Sequence, residues 1–187
     1  MQSSPTDEIL VARILKGDQS AFKMLIVRYE QLVFTMVLRI VKRREEAEEV
    51  AQDVFLKVYA SLSSFEGKSK FSSWLYRIAY NTALTKIRGQ RSDVSLLDNE
   101  QMAKVSENKS STAVYNDVEQ IFRVEYVSEA IKMLSADEAT VITLFYLSEQ
   151  SIEEIAMILD IEKNAVKVRL FRARKKLKEK IVAIGSI

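Results

Sequence analysis

The chain has 187 residues, 48% of them hydrophobic, and a formal net charge of only +2. It holds four glycines, one proline, no cysteine and no histidine. That balance is ample for a core, leaves little turn chemistry for a β fold, and excludes disulfides, cysteine-containing zinc sites and Cys or His catalysis.

At the N-terminus, MQSSPTDE lacks a charged-then-apolar signal pattern. No later stretch approaches the ~18 uninterrupted apolar residues of a membrane span. The expectation is a soluble, cytoplasmic protein with no direct membrane insertion. Amphipathic periods then set the class as all-α. A first helix is predicted over Asp7–Lys16, ended by Gly17-Asp18. A second covers Gln19–Val41, with Phe22, Leu25, Ile26, Tyr29, Leu32, Val33 and Met36 on one side.

The third helix begins near Arg44 and ends near Leu62. Its core stripe is Ala47, Val50, Ala51, Val54 and Val58. Around the stripe lie Glu45, Glu46, Glu48, Glu49, Gln52 and Asp53. Carboxylates in this number could hold a metal or form an acid–base pair, but they are spread around a helix with no His beside them. No metal site and no catalytic residue is therefore assigned. A solvated face and a docking face both remain open.

The loop Ser63–Lys70 leads into a fourth helix over Phe71–Arg88. Phe71, Trp74, Leu75, Ile78, Ala79 and Thr82 form its predicted buried side. The opposite strip, Arg77, Tyr80, Asn81, Leu84 and Arg88, mixes cation, aromatic and amide, which suits unpaired bases and backbone phosphate.

Composition then shifts. Ser92–Val118 is polar with weak periodicity, and from Asp93 to Phe122 six acids stand against two lysines, a balance of −4. This reads as a flexible acidic linker between two helical domains. The domains are expected at 1–91 and 119–187, with the linker at 92–118. Helices resume over about Glu119–Met133. Ser135 then caps a further helix to about Leu147, with Glu138 completing a capping box.

Ser151–Lys178 reads as two short helices joined by the break Asp160-Ile161-Glu162. In the second, Val166, Leu170, Ala173 and Leu177 make a buried stripe at i, i+4, i+7 and i+11. Between Lys163 and Lys180 nine basic residues stand against one acid, a local +8. Phe171 lies about 100° around the helix from Leu170, on the basic side. A helix held by one apolar edge, with cations on the rest, suits insertion into the DNA major groove.

Three blocks, Glu48–Tyr59 (EEVAQDVFLKVY), Phe65–Arg88 (FEGKSKFSSWLYRIAYNTALTKIR) and Ser151–Leu177, together resemble the extracytoplasmic-function (ECF, group IV) sigma factors of the sigma-70 family. The likeness covers nearly the whole chain. It implies a two-domain RNA polymerase subunit, with sigma region 2 first and region 4, carrying a helix-turn-helix, second. Its partners would be core RNA polymerase, through the β′ clamp helices and the β flap, promoter DNA and an anti-sigma factor. No cofactor and no small-molecule substrate is implied.

Carried onto this sequence, the resemblance makes Glu49, Gln52, Asp53 and Leu56 the polymerase-binding face. Phe65, Lys68, Lys70, Arg77, Tyr80, Asn81 and Arg88 would engage the −10 element. Lys167, Val168, Phe171 and Arg172 would face −35 bases, while Arg169, Arg174 and Lys175 favour phosphates. Two positions depart from the family pattern. The helix–break–helix turn is Asp160-Ile161-Glu162 where many relatives have Gly and then Pro, and Val168 stands where small polar residues are common. Asp tolerates a left-handed turn, so these bear on base preference and not on fold. Two other readings of the residues are a stand-alone dimeric helix-turn-helix regulator, which leaves the Arg77–Arg88 strip unexplained, and a carboxylate-dependent nuclease using Glu45–Asp53.

Overall fold

A computed structural model describes residues 4–94 and 126–185 of the chain. The described residues are helical, with no strand among them, and form two bundles.

The N-terminal bundle comprises α1 (Asp7–Leu15), α2 (Gln19–Val41), α3 (Arg44–Ser61) and α4 (Phe71–Val94). Gly17 turns the chain after α1 with φ 92°, a conformation that costs glycine little. Asp18 then caps α2, accepting from the backbone N–H of Ser20 at 2.9 Å and of Ala21 at 3.3 Å. Lys42 ends α2 in a left-handed conformation. Asp7 accepts from Arg28 and from the Tyr29 hydroxyl, tying α1 to α2. Leu10, Leu25, Val33, Met36, Val54, Val58, Leu75 and Ala79 fill the centre. Each of the Leu, Val and Met side chains contributes roughly 1.5–3 kcal/mol by leaving water.

A helix over residues 126–132, α5, opens the C-terminal bundle. It is followed by α6 (Ala136–Ile142), a π-helical turn (Thr143–Leu147), α7 (Ile152–Leu159) and α8 (Lys163–Gly185). Ser135 and Glu138 cap each other's backbone N–H groups at the start of α6, and Ser151 and Glu154 do the same for α7. Asp160 closes α7 with φ 53° and ψ 52°, so the turn survives without glycine. The buried seam is Val141, Leu144, Ile155, Ile158, Val166, Leu170 and Ala173.

Four expectations change. The fourth helix runs past Arg88 to Val94. The helix expected to reach Leu147 gives way to a wider turn at Thr143, where the Ser148 N–H bonds back to the Thr143 carbonyl. The second helix of the helix–break–helix is 23 residues long, not short. Leu84 and Tyr80, placed on an exposed strip, are half-buried and pack against the apolar core. The acidic linker and the N-terminal part of the helix expected over Glu119–Met133 lie outside the described residues.

The bundles meet where α4 packs on α7 and α2 on α6. The seam is partly polar. Lys42 donates to the Leu134 carbonyl at 3.4 Å, and Ser73 donates to the Gln150 side chain at 2.8 Å.

Candidate nucleic-acid interface

The face of α8 opposite its buried seam carries Lys167, Val168, Phe171, Arg172 and Lys175, all exposed. Their spacing of i, i+1, i+4, i+5 and i+8 makes one strip along the helix. Phe171 is 70% exposed and Val168 46%, among cations. A large apolar ring held out from a basic helix marks a contact surface better than it marks a solvated one.

Two of the seven residues expected on this face stand elsewhere. Arg169 is half-buried, with its guanidinium 3.6 Å from the Asp137 carboxylate. Arg174 lies over the rings of Phe145 and Tyr146, 5.0 and 5.4 Å from their centroids. Lys163 pairs with Glu153 at 3.2 Å and Lys176 with Glu138 at 2.6 Å, so α8 is pinned to α7 and α6 by its own cations. The Lys176 hydrogen bond holds the Glu138 carboxyl below its ordinary value.

In the N-terminal bundle, a 3-10 turn at Leu62–Ser64 opens the loop before α4. Gly67 then takes φ 70°, where a side chain would be strained. Phe65 is half-buried against Phe71 and Trp74, with ring centroids 5.7 and 5.3 Å away. Lys68 pairs with Glu66, and Lys70 reaches Glu154 of α7 at 2.9 Å. Arg77, Asn81 and Arg88 are exposed along α4. Tyr80 is the exception: burial, and then the Asp137 carboxylate, push its hydroxyl above the ordinary value.

Asn81 borders an open cleft of about 490 Å³ between α3 and α4, shared with Lys57, Ser61, Ile78, Thr82 and Thr85. Its walls are mixed, with the Lys57 ammonium 3.3 Å from the Thr82 hydroxyl. Phe65 is not among the cleft's residues. It lies in the loop before α4, packed on Phe71 and Trp74 at the start of that helix. Lys57, Ser61 and Thr85 carry no signal in the sequence, and Thr82 reads there as part of the buried side of the fourth helix. Lys57 and Ser61 flank the α3 stripe, and nothing local distinguishes them from solvated residues.

On α3, Glu49, Gln52 and Asp53 are exposed, and Leu56 is 69% exposed on the same side. Gln52 also borders a second cleft of about 240 Å³ with Ile26, Glu30, Phe34, Glu48, Ala51 and Phe55. An acidic edge beside an apolar groove, with a bare leucine, is the anatomy of a protein-docking surface. No group of three or more acidic side chains is placed to hold a metal ion among the described residues.

Residues 25–92 match the family model "Sigma-70 region 2", and residues 125–177 match "Sigma-70, region 4". The chain is 38% identical to the ECF RNA polymerase sigma-E factor of Escherichia coli K12 over 191 residues, 97% of each chain. The chain belongs to the ECF sigma factors. It is also 32% identical to the RNA polymerase sigma-H factor of Pseudomonas aeruginosa, over 93% of each. Among solved structures it is similar to the sigma factor RpoE of Bartonella quintana, seen in complex with the anti-sigma factor NepR, with TM-score 0.69 and 26% identity. That match covers 86% of this chain and 96% of the other.

An ECF sigma factor directs RNA polymerase to its promoters, and each matched region belongs to one of the two bundles. Region 2 holds the α3 face, the loop and α4. Region 4 holds α7 and α8. Among the described residues no helix is long and apolar enough to cross a membrane.

Proposed function

We propose that this sigma factor divides its work among three surfaces. Glu49, Gln52, Asp53 and Leu56 dock on the β′ clamp helices. Lys68, Lys70, Arg77, Tyr80, Asn81 and Arg88, with Phe65, engage the −10 element and hold its opened strand. Lys167, Val168, Phe171 and Arg172 meet −35 bases and Lys175 meets phosphate, while Arg169 and Arg174 would reach phosphates only on leaving Asp137 and the Phe145–Tyr146 rings. The domains run over 1–91 and 119–187, and the acidic segment 92–118 links them. The second domain contacts the β flap.

The observation that carries this reading is the exposed Val168–Phe171–Arg172 surface on a helix whose other edge is fully buried. Arginine reads guanine bidentately, and an apolar side chain contacts the thymine methyl, so such a face can specify sequence in the major groove. Opening of the −10 element requires a pocket for an extruded base, and the mixed-walled cleft beside Asn81 supports that role.

The chain contributes binding and strand separation, and the polymerase contributes the phosphoryl chemistry; no catalytic step or cofactor is assigned to the chain itself. It works in the cytoplasm. Because the Bartonella relative is held by an anti-sigma factor, an anti-sigma protein is the regulatory partner expected here. Reconstitution with core polymerase tests the reading. Run-off transcription from a selected promoter should require both proteins, and footprints should cover the −35 and −10 elements. Sequence-specific binding to a palindrome without core polymerase would overturn it.

A further inference from the structure

One turn ahead of Val168, the start of α8 carries an outward amide, Asn164. It is exposed, between exposed Lys163 and half-buried Ala165. At about 100° per residue it points about 20° from Phe171, about 40° from Val168 and roughly 150° from the middle of the Val166–Leu170–Ala173 seam. Asn164 therefore stands near the centre of the strip formed by Lys167, Val168, Phe171, Arg172 and Lys175. Among the described residues its side-chain amide has no hydrogen-bond partner.

The turn that presents Asn164 is built from other groups. The Ile161 N–H bonds to the Ala156 carbonyl, and the Val166 N–H to the Glu162 carbonyl, both at 3.1 Å. Lys163 leans to Glu153 of α7, 3.2 Å away, which ties the first turn of α8 to α7. The amide is thus held in place on the DNA-facing strip without being used by the fold.

In a helix-turn-helix, the N-terminal residues of the second helix contact base edges in the major groove. Asn164 lies about 12 Å from Arg172 along the axis of α8, at about 1.5 Å per residue. Base pairs are spaced about 3.4 Å apart, so the two side chains meet different pairs. Adenine alone sets an acceptor, N7, beside a donor, the N6 amino group. Guanine sets two acceptors there, cytosine a donor, and thymine an acceptor with a methyl. A carboxamide matches adenine at both atoms, its NH2 donating to N7 and its carbonyl accepting from N6. A guanidinium only donates, and so matches guanine.

We propose that Asn164 is a specificity-determining residue that reads one adenine of the −35 element, on a base pair separate from the one read by Arg172. The other bases are rejected because each leaves the amide donor or acceptor unpaired once water is displaced. The strip then offers an adenine contact at its N-terminal end, a methyl contact at Val168 and Phe171, and a guanine contact at Arg172. This deepens the assignment of α8 to the −35 element and rests on it.

Duplex promoters enriched by the holoenzyme from a library randomised across the −35 element test the assignment. The unsubstituted chain should retain adenine at one position by at least about fivefold over any other base. N164A should lose that preference and keep those at the remaining positions. N164D, an acceptor without a donor, should move the same position to cytosine, whose N4 amino group donates. In an enriched promoter, 7-deazaadenine at that position removes only the N7 acceptor. It should weaken binding by the unsubstituted holoenzyme several-fold and leave the N164A holoenzyme unaffected.

R172A separates the outcomes. If R172A loses a base preference while the N164A library equals that of the unsubstituted chain, the role of Asn164 is overturned and α8 stays on the −35 element. An even loss of affinity by N164A on every sequence puts the amide on phosphate and overturns that role as well. Libraries unchanged in both R172A and N164A overturn the placement of α8 itself, and Asn164 with it.

Discussion

The Lys86 ammonium donates to the Glu49 carboxylate at 2.8 Å, across the seam between α3 and α4. That hydrogen bond, with the nearby charges of Glu46 and Asp53, raises the Lys86 pKa. The pair orients Glu49 while Gln52, Asp53 and Leu56 stay on the open side of α3. D53R should weaken binding to core polymerase at least tenfold. Asp53 is off the Val50/Val54/Val58 stripe, so its stability cost should stay within about 0.5 kcal/mol. Titration with labelled core enzyme checks this, and unchanged affinity would remove Asp53 from the docking face.

Arg172 and Lys175 stand on one exposed strip but should behave differently. R172A should lower discrimination at one −35 position by about 1–3 kcal/mol, the value of a bidentate base contact. K175A should weaken binding evenly across sequences and reduce its salt slope by about 1. Competition binding by the holoenzyme on single-base variants separates the two. Equal losses on every sequence would end the base-reading role of Arg172.

N81A alters an exposed amide at the rim of the α3–α4 cleft, away from the core. Polymerase binding and −35 recognition should be nearly unchanged, while open-complex formation falls. A pre-melted −10 template should recover part of the loss, because the unpairing cost has already been met. Permanganate reactivity of unpaired thymines reads both templates. Wild-type opening on the intact duplex would exclude Asn81.

Glu138 joins α6 to α8 through Lys176 at 2.6 Å. Its folded-state pKa is lowered from 4.5 by that hydrogen bond and by Ser135, against a smaller opposing effect of burial. A depressed carboxyl stabilises the fold above its unfolded pKa, and the benefit is lost as pH falls through the folded value. E138Q should therefore melt below wild type at pH 7, and the two curves should converge well below pH 4.5. A constant gap across that range would mean that packing, not charge, sets the effect.

Asp160 takes a left-handed conformation at the end of α7. D160G should leave the helix–turn–helix intact and raise stability by up to about 0.5 kcal/mol, since glycine meets no Cβ clash there but loses more chain entropy. Denaturant titration decides the sign. A large loss would show that the Asp160 side chain contributes to the turn.

Much of this was legible before the fold was known. The heptad-like stripes of α2, α3 and α8, the Ser135–Glu138 box and the left-handed Asp160 all follow from residues within five positions of one another. Local geometry relates such residues whatever the rest of the chain does. The outward Phe171 follows from the same 100° step.

The second buried side of α4 is of another kind. Ser73 and Tyr76 read as ordinary positions between an apolar stripe and a polar one, yet both are buried. What covers Ser73 is Gln150, 77 residues away, and no period in either segment announces the other. For the same reason the sequence could name the cations of the DNA-reading helices but not sort them. It determined the helices, their caps and the basic face of α8, because these depend on neighbours along the chain. Only the tertiary structure decided that Arg169 turns to Asp137, Arg174 to Phe145 and Lys70 to Glu154, because a long cation takes whichever partner distant packing brings within a few ångströms.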